Sequence, residues 1–427
     1  MLLKEIAKKS LYVLLIRILG VSVLFGFTLF LTNFFPAEDV GKYDFVRSVL
    51  NIVGGIALLG TNQSIIYYSG MLEAKNNLAS IKPLYYKMLK LIILSSLLIL
   101  LTFNFAFSEE FISMVFKKSD AYNLILKTFF ALIFFTVTML NIDTIRALQK
   151  TVISELFRNI FRYVPVLLGA ILIYILEKTQ LIVDVYLIGF LILCFMSTAY
   201  AFCLLRKTRF NKPPSFFFTY KEIFLTSYPM AISAIAYFIM QGIDVLILTI
   251  YSSFESVAYY SVAVKLSTLT ALSLLSVNIV VAPKIAEIYE KRKTDELQLL
   301  IKKSTRLIFV ISIFLLSFIF LFSEHILSLF GPDYIVASAP LVILLSAQLY
   351  NSLSGPSAIY LNMTGKQRAL NLILIIGLLT NIFLNLYLIP NYGMNGAAIA
   401  TLVSLVLWNS MAAIYIYFKD SIKVFLN

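Results

Sequence analysis

The chain has 427 residues and a formal net charge of +13, with 60% hydrophobic and 13% charged residues. Its mean hydropathy of +0.91 lies far outside the range of soluble globular domains. Continuous apolar runs of about eighteen or more residues recur along the whole chain. The composition therefore predicts an all-α polytopic membrane protein.

Twelve transmembrane helices are predicted, at roughly 11–33, 43–69, 88–107, 122–146, 156–176, 181–205, 222–250, 256–282, 305–323, 334–356, 367–389 and 395–418. The first run is too long for a signal-peptide core and lacks a small-residue cleavage site, so we expect an uncleaved span. With a cytoplasmic amino terminus, the inner segments and the inner ends of the spans together hold 27 Lys and Arg, whereas the outer segments hold four. This asymmetry predicts that both termini are cytoplasmic, and it explains the net charge without a nucleic-acid partner.

Three phrases recur after 215 to 217 positions, which indicates two copies of one ancestral unit. E-D-V-G-K-Y returns as E-S-V-A-Y-Y, F-S-E-E-F-I-S as F-S-E-H-I-L-S, and A-L-Q-K as M-T-G-K. We predict an amino-terminal six-helix bundle at 1–205, a basic cytoplasmic linker at 206–221 and a carboxy-terminal six-helix bundle at 222–427. Since each half holds six spans, the repeats are expected to be parallel, with any central site between them.

Local patterns add three expectations in chain order. Gly54, Gly55 and Gly60 on the second predicted span favour close packing against neighbouring helices. The segment 108–121 is amphipathic and is expected to lie along the membrane surface. The stretch I-P-N-Y-G-M-N-G at 389–396 leaves almost no connecting chain, so the last two spans should form a tight antiparallel hairpin.

Ionisable side chains within predicted spans are costly, so they mark candidate functional residues. Four of them are cations: Arg17, Arg47, Lys127 and Lys265. Asp244 lies at a depth similar to Lys265 on the preceding span, and it is expected either to neutralise this lysine or to bind a coupling ion. A further charged group bounds one inner loop and is expected to form ion pairs at the cytoplasmic rim: Asp143, Arg146, Glu155, Arg158 and Arg162.

The motifs V-G-K-Y at 40–43, V-A-Y-Y-S-V-A-V-K-L at 257–266 and I-P-N-Y-G-M-N-G-A-A-I-A-T at 389–401 give the chain a family resemblance. It resembles the polysaccharide transporters of the MOP superfamily, and especially Wzx-type flippases for O-antigen or capsule repeat units. The resemblance implies a MATE-like V of two bundles that opens alternately to each side of the bacterial inner membrane. It also implies a cargo of undecaprenyl-pyrophosphate-linked oligosaccharide.

The same resemblance implies a cationic central cavity for the pyrophosphate, lined by Arg17, Arg47 and Lys265, to which the in-span Lys127 is added. Arg47 and Lys265 lie on repeat-related helices and are expected to face one another across this cavity. Membrane lipids, a polysaccharide polymerase and chain-length proteins are the expected partners. No metal or resident cofactor is predicted, and Na⁺, H⁺ and the membrane potential all stay open as the driving force.

Two other functions are weighed against this one. A multidrug or cation antiporter needs buried carboxylates, whereas four in-span cations stand against chiefly Asp184 and Asp244. A polysaccharide polymerase or ligase needs a large outer loop or an intramembrane histidine, and the one histidine, His325, lies in a short outer loop. Since no nucleophile–base constellation is evident either, no catalytic residue is predicted and the chain is classed as a non-enzyme.

Overall fold

The computed structural model describes residues 2–207 and 216–426, and within these ranges the regular structure is helical. Half of the predicted linker at 206–221, residues 208–215, lies outside the described residues. The first nine α-helices are α1 Leu2–Phe34, α2 Ala37–Ala57, α3 Thr61–Ala74, α4 Ile81–Ala106, α5 Glu109–Phe116, α6 Ala121–Ala147, α7 Thr151–Leu156, α8 Val164–Ile175 and α9 Ile182–Lys207. The remaining nine are α10 Tyr220–Met240, α11 Ile243–Tyr251, α12 Phe254–Leu269, α13 Ala271–Glu290, α14 Thr294–Leu321, α15 Ser323–Ser328, α16 Ser338–Leu353, α17 Ser357–Met363 and α18 Gln367–Asp420.

Packing divides the chain into two compact units, an amino-terminal unit Met1–Gly242 and a carboxy-terminal unit Ile243–Asn427. In the amino-terminal unit, α6 packs against α2, α3, α4 and α9. In the carboxy-terminal unit, α18 packs against α11, α16 and α17. The helix α10 packs on α2 and α3, although the sequence predicts it as the first span of the second half. The predicted domain boundaries are based on the sequence repeat, whereas these two units are defined by contacts between residues. The predicted boundaries therefore stay a prediction.

Ten helices of the described chain are long and apolar enough to cross a membrane, or eleven if the bent pair α2 and α3 forms one span. The predicted twelve spans remain a prediction. That number requires each arm of the 54-residue α18 to cross the membrane separately, because a straight helix of this length would measure about 80 Å. The hydrocarbon core is only about 30 Å thick.

The helix α18 folds back on itself at Gly393, whose φ of 51° and ψ of −129° interrupt the helical backbone. The Asn381 amide on the first arm donates to Ser404 Oγ on the second arm over 3.2 Å. A Cβ placed on Gly396 would come within 2.6 Å of the Leu388 carbonyl. The tight antiparallel hairpin predicted from I-P-N-Y-G-M-N-G is therefore confirmed.

The glycines of α2 and α3 permit close helix contacts, as predicted. A Cβ on Gly54 would lie 2.3 Å from the Phe135 ring, and one on Gly55 would lie 2.6 Å from the Phe238 ring. Gly60 adopts a left-handed φ of 72° at the bend of 47° between the two helices. This bend turns α3 towards α6 and α10, which positions the polar side chains described next.

The backbone itself repeats at a constant offset. Three pairs of left-handed residues lie 216 positions apart, and each pair ends or joins helices at corresponding places in the two halves: Asn76 and Arg292, Gln149 and Gly365, and Glu177 and Gly393. Left-handed residues are uncommon outside glycine, so three such coincidences support the internal repeat independently of the sequence phrases. The short helices α5 and α15, which begin after Ser108 and at Ser323, also follow this offset closely.

Candidate functional site

A first polar cluster forms in the amino-terminal unit where α1 meets α7. Glu155 is buried, and the Arg17 guanidinium donates to both of its carboxylate oxygens at 3.0 Å. The Asn159 amide donates to the same carboxylate, also at 3.0 Å. Two-point contact between guanidinium and carboxylate fixes geometry as well as charge. Arg17 therefore serves here as the partner of Glu155.

Asp143 and Arg158 form the second half of this group, which we name the Glu155 cluster (Arg17, Asp143, Glu155, Arg158). Arg158 donates to the buried Asp143 carboxylate, and the Asn62 side chain on α3 lies within reach of it. Arg146, exposed at the end of α6, lies near enough to interact electrostatically with both acids. The ion pairs predicted among the rim residues are thus present for Arg158, and Arg17 joins them.

Arg162 lies in a different environment, together with Arg47. We name this the Arg47–Arg162 cluster (Tyr43, Arg47, Arg162, Tyr163, Tyr186). Arg162 Nη2 lies 3.5 Å from the Tyr186 hydroxyl, and its guanidinium lies 5.2 Å from the Phe190 ring centroid. The Tyr43 and Tyr186 rings pack edge to face, with centroids 4.9 Å apart. All three tyrosines lie close enough to both guanidiniums to interact electrostatically with them.

Positive charge exceeds negative charge in the Arg47–Arg162 cluster. Arg47 Nε donates over 3.0 Å to Asp44, whose side chain is fully buried. Arg162, by contrast, contacts no carboxylate among the described residues, and its Nε is shielded from solvent without a hydrogen-bond acceptor. Among the described residues, the cluster therefore holds two guanidiniums but one carboxylate contact, that of Asp44 with Arg47. An uncompensated guanidinium inside an apolar helix bundle is costly, which makes Arg162 a candidate ligand for an anion.

A π-helical turn at Phe157–Phe161 explains why the sequence did not predict this arrangement. Glu155, Arg158 and Arg162 share one face of a regular α-helix, so the sequence analysis places Arg162 with the rim. The π-turn holds one residue more per turn and rotates the chain that follows it. Arg162 therefore leaves the face of Arg158 and points towards Tyr186 and Phe190.

Lys127 pairs with Asp184, which belongs to neither cluster. Its ammonium is 2.7 Å from Asp184 and joins α6 to α9, with the Lys127 side chain 50% exposed. Such an exposed pair contributes little to stability and leaves the lysine accessible. The place of Lys127 beside Arg47 in a cationic cavity therefore stays a prediction.

The carboxy-terminal unit buries its own charged group, the Asp244 cluster (Asp244, Tyr260, Asn381, Asn385, Thr401). Asn385 Nδ2 donates to Asp244 Oδ1 over 2.7 Å, and the Tyr260 hydroxyl donates to Oδ2 over 3.1 Å. Thr401 also donates to Oδ2, and Asn381 lies within hydrogen-bonding reach. The donors come from α12 and from both arms of the α18 hairpin, so the fold at Gly393 assembles this site.

Asp244 is thus satisfied by neutral groups. The described ion pairs do not join it to Lys265, which is 7% exposed on α12, although such a pairing was one expectation from the sequence. The Asn385 Oδ1 atom is buried and lacks a donor. A carboxylate beside amide and hydroxyl oxygens can hold a proton or a hard monovalent cation. No group of three or more His, Cys, Asp or Glu side chains suited to a metal ion occurs in the described ranges.

The sequence analysis identified Asp244 but did not predict its hydrogen bonds to Asn385 and Thr401. The signal available was the spacing of Asn381, Asn385 and Thr401 about a hairpin centre near 393. The aromatic members of the Arg47–Arg162 cluster were missed because 25 tyrosines and 36 phenylalanines give no local contrast.

Comparison with known proteins agrees with this architecture. The model of a family described as "Polysaccharide biosynthesis protein" matches residues 6–289, about two thirds of the chain. The chain belongs to this family. The MatE family model also matches, over residues 229–387.

Among curated relatives, the chain is 27% identical over 216 residues to the probable low-salt glycan biosynthesis flippase Agl15 of Haloferax volcanii. The match covers 50% of this family member and 45% of the relative, so the chain spans about half the length of that protein. The relatives found are flippases and transporters rather than enzymes, in agreement with the classification from the sequence.

Solved structures of MOP transporters share the fold. An inward-facing multidrug resistance MATE family transporter of the MOP superfamily superposes with a TM-score of 0.75 at 13% identity, covering 96% of this chain and 98% of that one. The lipid II flippase MurJ superposes with a TM-score of 0.73 at 17% identity, covering 96% and 88%. The predicted MATE-like, all-α membrane fold and the resemblance to MOP polysaccharide transporters are confirmed.

Proposed function

We propose that this protein is a flippase that carries a polyprenyl-pyrophosphate-linked oligosaccharide from the cytoplasmic to the outer leaflet by alternating access. The observation that carries the proposal is a pair of cations on membrane-spanning helices of a polysaccharide biosynthesis family member. Lys265 is 7% exposed on α12, and Arg47 lies among tyrosines on α2. A pyrophosphate group cannot cross hydrocarbon unaided, and buried cations lower that barrier.

In this proposal Arg47 and Lys265 are the main contacts of the pyrophosphate, while Arg17 and Lys127 add positive charge elsewhere along the path. The residues Asp143, Arg146, Arg158 and Arg162 were predicted as a rim, and the Glu155 cluster holds two of them. The Asp244 cluster is proposed as the site where Na⁺ or H⁺ couples to transport. The location is a bacterial inner membrane with both termini cytoplasmic, next to a polymerase and chain-length proteins.

The test is complementation in a host whose own copy of this gene is deleted. Arg47→Ala and Lys265→Ala should each weaken headgroup binding roughly 5- to 150-fold, the loss expected for one charge-assisted contact. Surface polysaccharide should fall sharply, and lipid-linked oligosaccharide should accumulate in the cytoplasmic leaflet. Lys265→Arg should retain much of the activity because the charge is kept.

Lys291→Ala is the matched control, since Lys291 is an exposed lysine that pairs with Glu287 on the surface. It should complement like the wild type. Full complementation by both Arg47→Ala and Lys265→Ala at normal expression would contradict the proposal that these cations bind the pyrophosphate.

Cation antiport is the second candidate function, and the buried Asp244 carboxylate together with the MatE match over 229–387 favours it. An antiporter should extrude ethidium from cells and should lose this activity in Asp244→Asn. We expect no ethidium efflux above that of the deletion strain.

A further inference from the structure

We propose that Arg162 and Arg47 together bind the diphosphate of the cargo within the amino-terminal unit. This inference rests on the flippase function proposed above and assigns to the headgroup a residue that the helical pattern places on the rim. It makes the Arg47–Arg162 cluster a specific diphosphate site.

The first argument is the position of Arg162. It lies within the candidate span Thr151–Ile175, roughly 17 Å and 20 Å from the two ends at helical rise. An arginine this far from either end cannot readily extend its head to the membrane surface. Its guanidinium is therefore kept in the bundle, where a charge needs a partner.

The surroundings of the Arg162 guanidinium leave part of its hydrogen-bonding capacity unused. Arg162 contacts the Tyr186 hydroxyl and the faces of Phe190 and Tyr163, and its Nε atom is buried without an acceptor. Aromatic faces stabilise a guanidinium by cation–π attraction but do not accept its in-plane N–H bonds. The donors that remain suit a planar, two-point contact with phosphate oxygens.

The third argument is the pairing with Arg47. Tyr43, Tyr163 and Tyr186 lie close enough to both guanidiniums to interact electrostatically with them, and among the described residues Asp44 is the carboxylate bonded to the pair, through Arg47. A diphosphate spreads its negative charge over two phosphorus centres. Two arginines held by the same aromatic side chains should therefore bind a diphosphate more tightly than a monophosphate. The tyrosine hydroxyls supply neutral donors beside them.

The experiment uses the full-length protein in phosphatidylcholine nanodiscs and measures binding of farnesyl diphosphate, a short polyprenyl diphosphate. Arg162→Gln should weaken binding roughly 10- to 100-fold. Arg162→Lys should weaken it less, because lysine keeps the positive charge but loses the two-point contact of the guanidinium. Arg158→Gln, four positions earlier and paired with Asp143, is the matched control and should bind within about threefold of the wild type. Farnesyl monophosphate should bind the wild type more weakly than the diphosphate does, and Arg162→Gln should largely remove this difference.

Thermal unfolding without ligand shows whether Arg162 binds the diphosphate or instead stabilises the fold. Arg162→Gln should keep or raise the melting temperature because an uncompensated charge is removed, whereas Arg158→Gln should lower it by leaving Asp143 unpaired. Farnesyl diphosphate should then raise the melting temperature of the wild type and of Arg158→Gln, and hardly that of Arg162→Gln. A ligand-free loss of stability in Arg162→Gln, with unchanged diphosphate affinity, would show a structural arginine and overturn the inference.

Other outcomes distinguish the role of Arg162 from the flippase function proposed above. If Arg47→Ala weakens diphosphate binding and both Arg162→Gln and Arg162→Lys bind like the wild type, the role of Arg162 is overturned and the flippase proposal stands. If wild-type protein in phosphatidylcholine does not bind farnesyl diphosphate, both are overturned. If phosphatidylglycerol in the nanodisc gives the same Arg162-dependent stabilisation, the site takes phospholipid headgroups and the diphosphate assignment is overturned.

Discussion

Single residues of this protein show two ways to keep a charge inside an apolar helix bundle. Asp244 is surrounded by neutral donors from three side chains and needs no cation for satisfaction. Arg162 is framed by aromatic rings and lacks a carboxylate contact among the described residues. The coupling role proposed for Asp244 requires this carboxylate to exchange a small cation while its neutral donors hold it, and the role proposed for Arg162 requires its free N–H groups to bind an anion.

Asp244→Asn tests the role of the carboxylate. The amide keeps the size of the side chain but cannot bind a proton or attract Na⁺ with a full charge. We expect transport in the complementation assay to stop while farnesyl diphosphate binding by the purified variant persists. Asp184→Asn, which alters the exposed pair with Lys127, should transport normally. Normal transport by Asp244→Asn would remove the coupling role.

Arg158→Gln tests the Glu155 cluster at the same scale. The change leaves the buried Asp143 carboxylate with Asn62 and the more distant Arg146. We expect a loss of about 1–3 kcal/mol in the free energy of unfolding, the usual penalty for a buried group deprived of its partner. Lys127→Gln, which breaks an exposed pair, should cost less than about 1 kcal/mol. Equal losses in chemical denaturation would contradict the assignment of Asp143 as a buried, dependent charge.

At the scale of helices, the sequence analysis succeeded where chain connectivity left one solution. The hairpin at Gly393 was predictable because I-P-N-Y-G-M-N-G leaves no length for any other connection. The close contacts of Gly54 and Gly55 followed from residue size. The π-turn before Arg162 was not predictable, because side-chain periodicity assumes a regular α-helix on both sides. The donors of Asp244 were missed because they come from segments distant in sequence.

Two glycines test the hairpin. A methyl group at Gly396 would meet the backbone of Leu388 and Ile389 at 2.6–2.9 Å, so Gly396→Ala should force the arms of α18 apart. We expect a loss of about 1–3 kcal/mol in unfolding free energy and a weaker Asp244 cluster. Gly26→Ala, where the methyl group would meet open space, is expected to be neutral or stabilising by about 0.5–1 kcal/mol. Thermal melts of the two variants side by side measure the difference.

At the scale of the whole molecule, composition was enough to predict the fold class, and the phrases 215 to 217 positions apart predict the repeat. The left-handed residues at a constant offset of 216 now support that repeat from the backbone. The number of spans depends on whether each arm of α18 and the bent pair α2 and α3 cross the membrane, which sequence periodicity does not decide.

Cysteine labelling tests the membrane orientation predicted from the positive charges. In a variant without Cys194 and Cys203, single cysteines at Lys75 or Lys293 should be shielded from an impermeant thiol reagent in intact cells. Single cysteines at Asp120 or Asp333 should be labelled. Reaction at Lys293 from outside would overturn the orientation, and with it the cytoplasmic placement of both termini.

The π-turn at Phe157–Phe161 also has a consequence for evolutionary comparison. A π-turn arises when one residue is inserted into an α-helix, so it is a length change hidden inside a regular element. Homologues without the insertion should align to this chain with a one-residue gap between 157 and 161. In those homologues an arginine aligned with Arg162 would lie on the helix face of Arg158, towards the position of Asp143. Its alignment with Arg162 would therefore not imply a contact like that between Arg162 and Tyr186.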